Sequence, residues 1–105
     1  MSDNIINIAN DFTRYPAGRV LDDGLFSGEK FRTSFLVPIL ERDESAIIEL
    51  DGTRGYGSSF LEEAFGGLVR LGYSPEKILS TFEIRSSDKS LIFEIESYIK
   101  QAGEE

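Results

Sequence analysis

Two adjacent hydroxyls, Ser58 and Ser59, follow a glycine-rich bend, Asp51-Gly52-Thr53-Arg54-Gly55-Tyr56-Gly57, and lead into Phe60 and an apolar helical pattern. Three glycines in six residues let the backbone take positive φ and approach another molecule closely. Hydroxyls at a helix start sit where a phosphate, attached or bound, meets free backbone N–H groups and the positive end of the helix dipole. The segment's candidate contacts with a partner or ligand are therefore Arg54, Gly55, Tyr56, Gly57, Ser58, Ser59 and Phe60, with Ser58 and Ser59 as candidate phosphorylation sites. A plainer use of the same residues is a tight turn with one Ser capping the helix. The bend is not a nucleotide P-loop, because no Lys follows the glycines before the serines.

Other charged and aromatic residues offer chemistry of their own. Asp51, Arg54, Glu62 and Glu63 contain the minimum for carboxylate hydrolysis. They read better as solvated charges around a loop and a helix start whose dipole favours carboxylates. Asp22, Asp23 and Glu29 lack the alternating-oxygen spacing of a calcium loop, and a solvated loop is expected. Tyr15, Tyr56 and Tyr73 are candidate interface anchors. Tyr56, flanked by glycines, is expected to be exposed, although packing into the core or turn suits it equally.

The chain contains no His and no Cys. That removes the commonest general base and metal ligand, together with thiolate and disulfide chemistry. A non-enzymatic protein without metal or cofactor is expected. The net charge of −8 comes from 11 basic and 19 acidic residues, and the basic residues are scattered singly. Such a surface repels phosphate backbones and would steer a basic protein partner. Met1 to Asn10 has no basic start followed by an apolar stretch, and no apolar run approaches the roughly 20 residues of a membrane span. A cytoplasmic protein is expected.

The elements that would position the serines follow from periodicity. Asn4 to Ala9, rich in Ile, predicts a strand. A long connection follows, with a short extended piece at Arg19 to Leu21. Ser27 caps a helix from Gly28 to Arg42 that carries an apolar stripe of Phe31, Phe35, Leu36, Ile39 and Leu40; Pro38 should kink or shorten it. Ala46 to Asp51 predicts a buried strand. Ser58 or Ser59 then caps a helix from Phe60 to Leu71, with Leu61, Ala64, Phe65, Leu68 and Leu71 inward and Gly66-Gly67 packed closely. Ser74-Pro75 starts a short helix to Leu79. Thr81 to Arg85 alternates like a strand, and Asp88 caps a helix to Gln101 with a frayed tail over 102–105. The order strand-helix-strand-helix-strand-helix predicts one α/β domain over 1–105, with a small, mostly parallel or mixed sheet and helices packed against it.

The segment ELDGTRGYGSSFLEEAFGGLVRLGY, with INIANDFTRYPAGR and FSGEKFR before it, resembles the STAS-like domain family of unknown function in bacteria. That family is similar to STAS domains, which occur in sulphate transporters and anti-sigma factor antagonists. The resemblance implies a STAS-like fold and a regulatory, protein-binding role in signalling. In anti-sigma factor antagonists the matching turn reads Asp-Ser-Ser or Asp-Ser-Gly, and a switch kinase phosphorylates the first Ser and abolishes binding. Carried over, that residue is Ser58. Gly57 stands where the Asp would be, which leaves Ser59 as an equal candidate. The implied partner is a histidine-kinase-type ATPase or an anti-sigma factor. The alternative, also implied by the resemblance, is a sensor of a small ligand or nucleotide using the same turn.

Overall fold

Ile5 and Ile6, Ile47 and Ile48, and Phe82 with Ile84 supply the β-branched and aromatic residues that build three strands. In the computed structural model, which describes residues 4–104, these are β1 (Asn4–Asn7), β2 (Ala46–Glu49) and β3 (Phe82–Arg85). What was expected of Met1, Ser2, Asp3 and Glu105 lies outside the described residues. The sheet is parallel throughout, in the order β1-β2-β3 with β2 central. Its register sets Ile6 beside Ile48 and Ile48 beside Ile84. Ile6, Ile48 and Phe82 are buried on one face, while Ile5, Glu83 and Arg85 on the other are exposed.

The first strand ends at Asn7 rather than Ala9. The Asp11 carboxylate accepts the Asn7 N–H at 2.8 Å, and the Asn7 side chain accepts the Asn10 N–H at 3.1 Å. These local acceptors draw the backbone out of the ladder into a π turn over Ile8–Phe12. The extended piece expected at Arg19 to Leu21 is replaced by a 3₁₀ turn, Leu21–Asp23. Asp23 closes it by accepting the N–H groups of Arg19 and Val20 at 2.8 and 3.0 Å.

Helix α1 spans residues 28–41 as an α turn (Gly28–Phe31), a π segment (Arg32–Leu36) and a second α turn (Val37–Glu41). Ser27 caps it by accepting the Lys30 N–H at 3.2 Å. Pro38 does not end it. Pro has no N–H and its ring crowds the carbonyl four residues back, and that carbonyl, on Ser34, lies in the π segment rather than in an α turn. Helix α2 spans residues 58–70 with the same construction: Ser58–Leu61, a π segment Glu62–Gly66, and Gly67–Arg70. It stops at Arg70, so Leu71 falls in the following turn and is exposed rather than inward. Helix α3 (Pro75–Thr81) is capped by Ser74, and α4 (Lys89–Gly103) by Asp88.

The tail expected to fray is instead helical through Gly103. Ala102 is buried, and Gly103 lies so close to Pro75 that a Cβ there would meet its ring at 2.6 Å. The core joins the inner sheet face to Phe31, Leu36, Phe60, Phe65, Leu68, Ile78, Ile95 and Ile99. Among the described residues, no helix is long and apolar enough to cross a membrane.

Candidate functional site

The glycine-rich bend lies beyond the carboxyl end of the central strand, where ligands and partners meet parallel sheets. Leu50 donates to the Arg85 carbonyl at 2.9 Å, extending the β2–β3 pairing by one residue. The chain then turns through Gly52 and Gly55, whose φ values of 106° and 145° L side chains rarely adopt. Arg54, itself exposed, donates its N–H to the Arg14 carbonyl at 2.9 Å, which joins the bend to the connection after β1.

The helix starts two residues earlier than the apolar spacing suggested. Gly57, with an ordinary extended φ of −73°, is the N-cap, and it has no side chain to accept a bond. Ser58 and Ser59 are therefore the first two helical residues. Neither hydroxyl caps α2, and both are exposed. Ser58 stands beside the Tyr98 hydroxyl of α4, which donates to Glu94 at 2.6 Å. The negative Glu94 raises the Tyr98 pKa first, and burial adds to it.

One candidate is not available to a partner. Phe60 is 0 % exposed, its ring 6.0 Å from Phe31 and 6.3 Å from Phe12. Tyr56 is half-buried rather than exposed. Its ring lies 6.2 Å from Phe60, and its hydroxyl donates to the Leu50 carbonyl at 2.6 Å. Burial pushes its pKa up to about 12, with Asp51 and Glu49 acting in the same direction and a hydrogen bond with Thr53 acting against it. The apolar ring follows Phe60 into the core, and the hydroxyl finds a main-chain acceptor on the way. The exposed surface at the bend is thus Arg54, Gly55, Gly57, Ser58 and Ser59, with the half-buried Tyr56 between them.

Asp51 is a brace. Its carboxylate accepts the Ser87 N–H at 3.0 Å and the hydroxyls of Ser86 and Ser87 at 3.2 and 3.1 Å, binding the loop after β3 to the bend after β2. Sequence reasoning missed this partner loop. Its signal was the run Ser86-Ser87-Asp88 immediately before a helix, a cluster of local hydrogen-bonding side chains.

Glu62 and Glu63 are not free solvated charges. Arg19 reaches Glu62 at 2.6 Å and Glu63 at 3.3 Å, and Arg70 reaches Glu62 at 2.8 Å. Arg32 is buried in α1, and its guanidinium donates to the Glu63 carboxylate at 2.7 Å and to the Glu63 carbonyl at 2.6 Å. The hydrogen bond from Arg70, then that from Arg19, holds the Glu62 carboxyl below its usual value against an opposing effect of partial burial. So engaged, Glu62 is a weak base. Arg32 lies four residues before Leu36 on the apolar stripe, and that misplaced charge is the signal that announces a buried ion pair. Gly67 makes room for it, since a Cβ there would strike the Arg32 guanidinium.

Asp22, Asp23 and Glu29 are not gathered around a void. Asp23 closes its own turn, and Glu29 accepts the Leu21 N–H at 3.0 Å. Among the described residues, no three carboxylates are grouped to hold a metal ion. A cleft of about 440 Å³ lies at the other end of the sheet, against the first residues of β2 and β3, with Glu96 and Lys100 of α4 on its wall. None of its lining residues belongs to the serine bend.

A family model described as a STAS-like domain of unknown function matches residues 27–91, from the cap of α1 into the first turn of α4. No curated protein and no solved structure matches the chain.

Proposed function

Because the chain belongs to the family of STAS-like domains of unknown function, we propose that it is a cytoplasmic, non-enzymatic regulatory domain that binds a protein partner and is switched by phosphorylation in the first turn of α2. The observation that carries this reading is the pair of exposed hydroxyls, Ser58 and Ser59, on the opening residues of a helix at the end of the central strand. Ser58 is the phosphate acceptor in this scheme and Ser59 the substitute. The partner is a histidine-kinase-type ATPase acting as switch kinase, or an anti-sigma factor. A phosphoserine brings about −1.5 to −2 charges and three acceptor oxygens to backbone N–H groups that no side chain caps. It would change the face a partner meets without entering the core. The absence of His and Cys from the sequence supports a binding role over a catalytic one.

The test is incubation with the ATPase and ATP, followed by phosphopeptide mapping and by binding measurements on Ser58→Asp. Phosphate on Ser58 or Ser59, and at least tenfold weaker binding of the Asp variant, is the expected result. An unmodified chain whose Asp variant binds like wild type overturns the switch. The same uncapped helix start also suits a phosphate-bearing small ligand. In that reading, millimolar nucleotide raises the melting temperature by mass action; no shift rejects it.

A further inference from the structure

The two outer strands of the sheet are finished differently. In a parallel ladder each strand turns the main chain of alternate residues toward its neighbour. Leu50 donates to the Arg85 carbonyl, so Glu83 and Arg85 face β2, and the main-chain groups of Phe82 and Ile84 point away from the sheet. Phe82 gives its N–H to the Ile78 carbonyl at the end of α3. Among the described residues, the Phe82 carbonyl and both main-chain groups of Ile84 have no partner. At the other edge, Asn4 donates to the Ser45 carbonyl, which turns Ile5 and Asn7 outward, and the Asn7 N–H is taken by Asp11. The chain thus closes the end of the β1 edge itself and leaves the β3 edge open. The cleft of about 440 Å³ lies against that edge, with Phe82, Glu83 and Ile84 on one wall and Glu96 and Lys100 of α4 on another.

We propose that the open edge of β3 is a dimer interface, where a second copy of this chain pairs its own β3 antiparallel, Ile84 facing Ile84 across a two-fold axis. The inference does not depend on the serine switch. An unpaired edge is a template for another strand. What selects a second copy over any other extended segment is that this strand is its own complement. With Ile84 at the axis, the two Ile84 residues exchange both of their main-chain bonds. Glu83 of each copy then stands opposite Arg85 of the other, and opposite charges in facing positions stabilise a pair of strands. Both side chains are more than half exposed on the outer face, so the contact takes neither from the core. Other registers fail. One shift sets Glu83 against Glu83 and demands the Phe82 N–H that Ile78 already holds, and the opposite shift sets Arg85 against Arg85. Two copies at −8 repel overall. At this edge, however, Glu83 cancels Arg85 and Glu96 cancels Lys100, so the surfaces that meet are neutral. The strand is only four residues long, so a weak, concentration-dependent dimer is expected.

The test is sedimentation equilibrium of wild type, Glu83→Arg, Arg85→Glu and the double variant E83R/R85E up to millimolar protein, with melting temperatures in parallel and amide exchange at Ile84. The substituted side chains are exposed, so all four proteins are expected to fold. Each single variant puts like charges opposite each other at both facing positions, and the double variant restores opposite ones. A wild-type dimer weakened about tenfold by each single change and largely recovered in E83R/R85E supports the pairing. Exchange at Ile84 should slow as wild-type concentration rises. A wild type that stays monomeric at millimolar concentration overturns the dimer. A dimer that the single changes leave intact, or in which Ile84 exchanges as fast as in the monomer, overturns the edge as its interface. Weakening by the single changes with no recovery in the double variant overturns the register.

Discussion

Tyr56 shows how a residue can face a glycine bend and still belong to the core. Its hydroxyl donates to the Leu50 carbonyl at 2.6 Å, at the last residue before the chain turns toward the serines. Tyr56→Phe removes that donor and leaves a carbonyl without it, a loss of about 1 kcal/mol. For a domain of this size that corresponds to a melting temperature lower by roughly 4–8 °C. The wild-type phenol titrates near 12 instead of 10 because burial disfavours its charged form. A folded value raised above the unfolded one contributes stability in full below pH 10 and loses it as pH rises toward 12. Wild type should therefore weaken steeply over that interval, and the Phe variant less so. Ultraviolet titration that finds every tyrosine ionising near 10 in the folded protein would contradict the burial argument. Ser59 differs in kind, since its exposed hydroxyl caps nothing and Ser59→Ala should leave the melting temperature nearly unchanged.

Helices α1 and α2 meet through their π segments, and this is where glycine governs the packing. Arg32 of one pairs with Glu63 of the other, and Gly67 supplies the space for the guanidinium. At Gly28 a Cβ would press on the main-chain carbonyl of Phe60, so the two helix starts are in backbone contact. Gly67→Ala gains up to about 1 kcal/mol of helix propensity but must displace an arginine whose side chain is only 10 % exposed. Crowding of this sort costs typically 1–3 kcal/mol, so net destabilisation is expected. Gly28→Ala should cost more, because a carbonyl held in a helix cannot swing aside as a side chain does. Urea midpoints order the three proteins, and a Gly67→Ala variant as stable as wild type would show that Arg32 has room to move. The caps at Ser27, Ser74 and Asp88 and the alternation of strand with helix were legible, because each rests on neighbours in sequence. Pro38 announced a disturbance in α1 but not its form, and α2 takes the same π winding with no proline to announce it. The Arg32–Glu63 pair joins residues 31 positions apart. No local pattern reports such a pair directly, although Arg32's place on the apolar stripe hinted at it. The burial of Phe60 was not legible at the bend, because Phe12 and Phe31 reach it from elsewhere in the chain, and the half-buried Tyr56 packs on Phe60 in turn.

At the scale of the molecule, the acidic excess is partly neutralised within the fold and partly left outward. Glu62 is held below its usual value of 4.5 by Arg70 and Arg19. A depressed folded value contributes stability above the unfolded one, and that contribution is lost as pH falls through the folded value. Acid unfolding of wild type should therefore begin below about pH 4.5. Glu62→Gln should be less stable at neutral pH and show a shallower loss below that point; parallel acid limbs for the two proteins would mean the network is inert.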